Sequence, residues 1–231
     1  MIYLSAVIDL TRLYLIRHCE ALGNVKRIFQ GSTDLDISET GAKQLECLKN
    51  RFFDTEIDSV FSSPLLRARK TAHAVADQKG LPVIPIDGLA EIHGGIVEGK
   101  PFAETFGAMP ELADAWDNRP EDFAPEGGEP MRAAYERIWN TVLDIARKNE
   151  GKSIAVATHG GVLRCLNCRL LHGGISHLKD TPWCDNTAVN LIEFDGGLNP
   201  RVVYINDISH LPKELIIKRN RLSSFMKGEK Q

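Results

Sequence analysis

Short apolar runs punctuated by polar clusters recur along the chain, with stretches of helical spacing between them. Leu13-Tyr14-Leu15-Ile16 is compact, apolar and β-prone, the pattern of a strand buried on both faces of a parallel sheet. A polar loop of about 20 residues follows and holds Gly23, Asn24, Gln30, Gly31, Asp34 and Asp36; a loop of that length inside a compact domain usually has a function. Ser38-Glu39-Thr40-Gly41 then opens a helix with Leu45, Leu48 and Phe52 on one stripe. A second strand over residues 57–61 runs into Ser62-Ser63-Pro64, where a serine cap and a proline at the first helical position predict another helix, closed by Gly80. A third strand covers residues 82–86.

Residues 87–128 break the rhythm. They are irregular and rich in glycine, proline and acid, with one helical patch over 109–116, and read as an insertion covering one end of a sheet. The alternation then resumes: a helix over 129–148 with Ile138, Val142 and Ile145 in register, a strand over 153–157, a helix from Gly161, and strands over 189–194 and 202–205. Strands alternating with helices predict an α/β fold on a mostly parallel sheet.

The 231 residues, 43% of them hydrophobic, suffice for one α/β domain or two small ones. With neither a repeat nor a separating linker, the expectation is a single domain over 1–231, with a short N-terminal extension (1–11) and a basic, solvated tail (213–231). A net charge of −3 leaves no overall basic field to hold a nucleic acid, so any attraction for an anion must be local. Five cysteines, an odd number in a chain too large for a disulfide scaffold, point to a reducing, cytoplasmic compartment. The start, Met1 to Asp9, has no basic residue before its apolar run and reads as an extra strand or a leader rather than an export signal. No apolar stretch approaches the roughly 20 residues of a membrane span. Oligomeric state is left open.

Candidate chemistry collects just after predicted strands. Arg17-His18 follows the first, Ser62-Ser63 with Arg67 the second, and Thr158-His159-Gly160-Gly161 the fourth. In open α/β sheets the ligand crevice lies at the carboxyl ends of the strands, so parallel strands would bring the three clusters together. Two arginines, two histidines and two helix N-termini then converge, a local site for a small, highly charged anion such as phosphate.

Four segments carry a family likeness: Leu15-Ile16-Arg17-His18-Cys19-Glu20 with Asn24; Ser62-Ser63-Pro64-Leu65-Leu66-Arg67-Ala68 with Thr71-Ala72; Leu89-Ala90-Glu91 with Gly95, Glu98 and Gly99; and Thr158-His159-Gly160-Gly161. In this order and spacing they resemble the histidine phosphatase (phosphoglycerate mutase-like) superfamily, over about residues 12–195. Each motif alone is weak; four in sequence are specific. The resemblance implies a three-layer α/β/α sandwich and a phosphohistidine mechanism that needs no metal and no cofactor. It casts His18 as the nucleophile, and Arg17, Arg67 and His159 as ligands of the non-bridging phosphate oxygens. Asn24 would be a further donor, Glu91 the acid and then base, and Gln30, Gly31 and Gly160 would line the substrate mouth. The partner it implies is a small-molecule phosphate ester.

The chain departs from the family pattern at Cys19, where glycine usually follows the nucleophile, at Ala21 and at Pro130. A position that demanded positive φ would strain a cysteine. Cys165 and Cys168 share a predicted helix face and read as packing residues rather than a zinc or redox pair. Gly23-Asn24 and Ile92-His93-Gly94 stand where cofactor-dependent mutases of the family carry Trp-Asn and Arg-His-Tyr. The expectation is therefore a phosphomonoesterase, the alternatives being mutase-type transfer and a catalytically idle phosphate-binding module.

Overall fold

The computed structural model describes residues 10–217; most of the expected N-terminal extension, and the basic tail beyond residue 217, lie outside them. Six strands form one sheet in the order β3-β2-β4-β1-β5-β6. They are β1 (Thr11–Arg17), β2 (Ser59–Ser62), β3 (Val83–Pro85), β4 (Ser153–Thr158), β5 (Val189–Phe194) and β6 (Pro200–Asp207). β3, β2, β4 and β1 run parallel, whereas β5 and β6 return antiparallel. The central strands are buried on both faces, as their unbroken apolar runs require.

Helices cover both faces. Leu13 and Leu15 of β1 point into one core with α6 (Met131–Lys148) and α7 (Gly160–His172); Ile16, on the same face as Tyr14 two positions before it and opposite in face to Leu15, points into a second with α2 (Glu39–Arg51) and α3 (Leu66–Ala76). This is the expected three-layer α/β/α sandwich. The α2 start is the predicted one, with Ser38 Oγ accepting the Gly41 N–H at 2.9 Å.

Three local expectations need correction. The helix after β2 begins at Leu66, not at Pro64, behind an extended Leu65. Ser63 is engaged by His159, and the Leu66 N–H is satisfied instead by Asp34 Oδ1 at 2.7 Å. The long polar loop contains a single helical turn, α1 (Leu22–Val25). The insertion holds two helices, α4 (Phe102–Ala108) and α5 (Pro110–Asn118), where one patch was expected. Trp116 joins them to the core through Phe29 (ring centroids 5.3 Å apart) and Phe123 (4.8 Å).

Candidate active site

Strand register brings the chemistry to one line. Arg17 pairs with Thr158 across β1 and β4, and Ala157 pairs with Ser62 across β4 and β2, so the residues that follow each strand emerge at the same height. The His18 N–H continues the ladder to Thr158 O at 2.8 Å, and the Ser63 N–H to Ala157 O at 2.9 Å. His18 and His159 thereby face each other with ring centroids 5.2 Å apart.

His18 is buried, and its Nδ1 lies 2.6 Å from the Cys19 carbonyl. A carbonyl only accepts, so Nδ1 carries the proton and Nε2 keeps its lone pair. Burial, with the nearby Arg67 and Arg17 guanidiniums, holds the ring well below the usual histidine pKa, and it is neutral at physiological pH. His159 is depressed for the same reasons, burial first and Arg67 next. Its Nε2 lies 2.7 Å from Ser63 Oγ, and its buried Nδ1 has no partner.

Each arginine is gripped at one end and open at the other. Arg67, on the first turn of α3, donates to Thr33 O (2.9 Å) and Gly31 O (2.8 Å) while its buried Nε has no partner. Arg17 donates from Nη1 to Cys184 O at 2.7 Å, and its Nε is also unpartnered. Burial pulls the Arg17 pKa down to about 10, with Glu91 acting in the opposite sense. Buried polar groups are almost always paired in a finished structure, so two open guanidinium donors and an open imidazole nitrogen around one histidine mark a site shaped for an acceptor with several oxygens.

Glu91 reaches this centre from the loop after β3. Its Oε2 accepts the Gly161 N–H at 3.1 Å and its Oε1 the Ile92 N–H at 3.0 Å, so the carboxylate sits over the N-terminus of α7. Arg137 of α6 secures that loop, holding Gly88 O at 2.8 Å and Ala90 O at 3.1 Å while its other edge is paired with Glu129. Gly160 leaves room for the site: a methyl group there would lie 3.2 Å from Arg17 Nε and 3.4 Å from Trp183 Cε3.

The remaining expected residues divide. Asn24 Oδ1 accepts the Ala21 N–H at 2.9 Å, a capping bond of α1 that leaves only its amide nitrogen free for a ligand. Gln30 lies against Gly23 with Oε1 buried and unpartnered. Gly31, at φ +45°, holds Arg67 through its carbonyl, and Glu98 packs where its side chain would stand. Cys19 is buried outside the left-handed region, so the feared strain is absent. Cys165 and Cys168 are buried on α7, the first beside Met131 and the second against Gly174 O; burial raises the Cys165 thiol far above its usual pKa. No cluster of three or more potential metal ligands occurs among the described residues, and no helix among them is long and apolar enough to cross a membrane.

Reading the sequence missed the segment before β5. Cys184 anchors Arg17, and Asn186 Nδ2 donates to His18 O at 2.9 Å. Because β5 is antiparallel to β1, residues that precede it lie at the same edge as residues that follow the parallel strands. A search confined to strand ends passes over them.

Comparison with known proteins agrees with this geometry. Residues 13–208 match the histidine phosphatase superfamily (branch 1). The chain is 29% identical to phosphoserine phosphatase 1 of Hydrogenobacter thermophilus, over 87% of this chain and 95% of that one. It is 31% identical to phosphoglycerate mutase-like protein 4 of Arabidopsis thaliana, over 90% of each. Its fold superposes on the solved structure of Bacillus stearothermophilus YhfR with a TM-score of 0.82 at 32% identity, covering 87% of this chain and 98% of that one. A family match over most of the chain, on a fold that brings the four motifs to one crevice, makes this protein a member of the histidine phosphatase superfamily, branch 1, and an enzyme of that phosphatase family.

Proposed function

We propose that this enzyme hydrolyses small phosphomonoesters through a phosphohistidine at His18. The observation that carries the reading is the pairing of a neutral imidazole, its Nδ1–H spent on Cys19 O, with two buried and open donors, Arg17 Nε and Arg67 Nε, and the unpartnered His159 Nδ1, a donor in the tautomer whose Nε2 accepts from Ser63 Oγ. In the first step His18 Nε2 bonds to phosphorus as the bond from phosphorus to the ester oxygen breaks, and Glu91 gives its proton to the departing alcohol. In the second, water attacks phosphorus, Glu91 takes the water's proton, and the phosphorus–nitrogen bond breaks to return neutral His18. The three donors bear on the non-bridging oxygens, whose charge must be held through both transfers. The Asn24 amide nitrogen supplies a fourth donor, while Gln30, Gly31 and Gly160 shape the mouth.

Hydrolysis is favoured over mutase-type transfer by the packing at position 23. A methyl group on Gly23 would already lie 2.3 Å from the Gln30 side chain, so the tryptophan of the mutase pattern would have to displace Gln30. The name of the Hydrogenobacter relative makes phosphoserine the first natural ester to assay.

The test is turnover of p-nitrophenyl phosphate with acid-labile, base-stable labelling of the protein by a radioactive phosphoryl donor. His18→Ala should lose both label and turnover, the latter by roughly 10³-fold or more. Glu91→Gln should keep phosphate binding yet slow turnover by about 10²–10⁴-fold. Turnover that survives in His18→Ala would require a different nucleophile and end this reading.

A further inference from the structure

Behind Arg17 lies a line of amides, buried at Asn167 and Asn190 and half-buried at Asn206, that the steps above leave unused. Asn190 of β5, fully buried, donates from Nδ2 to Asn167 Oδ1 on α7 at 2.9 Å. Its Oδ1 accepts the backbone N–H of Asn206 on β6 at 2.7 Å. Asn206 in turn grips one residue with both ends of its amide: Oδ1 accepts the Asp185 N–H at 2.7 Å, and Nδ2 donates to Asp185 Oδ2 at 3.0 Å. Asn167 Nδ2 reaches Cys184 Sγ at 3.3 Å. Every branch ends on Cys184 or Asp185, and Cys184 O is the acceptor that holds Arg17 Nη1.

The backbone is shaped for this arrangement. The β5–β6 register slips between Val189 and Leu191, the stretch that contains Asn190, and Asn206 takes a left-handed φ of 55°. Bulges of this kind re-aim side chains beside active sites, and asparagine tolerates the left-handed region better than other branched or bulky residues. Arg17 needs such an anchor. Arg67 is a like charge nearby, and in the empty enzyme the two guanidiniums repel each other. A fixed carbonyl on the far side of Arg17 turns its open Nε edge toward the pocket before substrate arrives.

We infer that Asn167, Asn190 and Asn206 are positioning residues that fix the Cys184-Asp185 turn and, through it, the Arg17 guanidinium in its phosphate-binding orientation. The inference rests on the reading of Arg17 as a phosphate ligand. The informative variant is Asn206→Gly, since glycine keeps the left-handed backbone at the sheet edge while the clamp on Asp185 is lost; Asn190→Ala is the buried companion.

The dissociation constant of inorganic phosphate, measured by calorimetry and so independent of turnover, should rise about five- to tenfold in Asn206→Gly, with KM for p-nitrophenyl phosphate following and kcat held within about twofold. In an Arg17→Lys background the same change should alter phosphate affinity by less than about twofold, because the residue it acts through is already altered. Unchanged affinity in folded Asn206→Gly, or an equal loss in both backgrounds, overturns the inference. A wild-type enzyme that turned over no ester yet showed the expected calorimetric pattern would sink the hydrolytic reading and leave this one standing.

Discussion

At position 19 the backbone does the chemistry and the side chain only fills space. The Cys19 carbonyl fixes the His18 tautomer, and its N–H donates to Thr71 Oγ1 at 3.1 Å. The thiol is buried, and burial pushes it up to about 12, so almost no thiolate exists at neutral pH. Cys19→Ala should therefore keep kcat within about twofold while lowering the unfolding free energy by about 1–2 kcal/mol, the cost of a small buried cavity. Steady-state kinetics beside urea denaturation checks both halves, and a kcat loss beyond tenfold would show that the thiol takes part. The same distinction decides what could be read from sequence. That Arg17, His18, Arg67 and His159 converge was legible, because each follows a parallel strand closely, whereas Glu91 lies farther along the loop after β3 and was named only through the family motif. The role of Gly31 lies in a carbonyl, that of Ser63 in orienting a ring, and that of Cys184 in a carbonyl set by antiparallel pairing; residue type alone reveals none of these.

Among the elements, the first turn of α7 is the most constrained. Gly161 lies outside the left-handed region, so its own backbone would accept alanine, which favours a helix by about 1 kcal/mol. Yet a methyl group there would stand 2.5 Å from Glu91 Oε1 and 3.0 Å from Ile92 Cδ1. Gly161→Ala must move the carboxylate, and we expect kcat to drop by about 10–10²-fold with phosphate affinity nearly intact, because proton transfer is sensitive to placement on the ångström scale. Calorimetric phosphate binding set against kcat separates the two; parallel losses would argue that Glu91 serves binding instead. Element existence was legible wherever periodicity and caps agreed, as at Ser38 for α2. It failed where distant contacts decide. α4 is seven residues of mixed character whose Phe102 and Phe106 rings (centroids 5.8 Å apart) pack with Trp116, so its helix depends on α5 and the core. The start of α3 moved because Asp34, thirty-two positions away in sequence, satisfies its first N–H.

For the molecule as a whole, the site is a concentration of buried positive charge that an anion would relieve. Two arginines and two histidines lie buried together in a chain whose net charge is −3, and burial depresses the pKa of all four. His210 joins the histidines: burial and then Arg51 bring it down to about 4, with Asp207 acting in the opposite sense. A histidine with a lowered folded-state pKa binds fewer protons folded than unfolded once the pH falls below its ordinary value near 6.5. From neutral pH downward the unfolded chain therefore gains protons that the fold refuses, and stability declines, down to about pH 4 for His210, with His18 and His159 acting in the same direction. Asp207, lowered to about 2, extends the decline once the pH falls below the usual carboxylate range. Asp117, raised by burial, works against the trend, one group against three histidines. The urea midpoint should thus fall between pH 7.5 and pH 5. If the site takes phosphate as proposed, and only in the folded state, inorganic phosphate should raise it at either pH by about RT ln(1 + [L]/Kd), near 2.7 kcal/mol at a hundredfold excess over Kd. Arg67→Met should lose that phosphate response, since it removes the guanidinium and with it the bonds to Thr33 O and Gly31 O that shape the pocket wall. A flat midpoint from pH 7.5 to 5, or an Arg67→Met protein that phosphate still stabilises, would contradict the picture of a pocket held open against its own charge.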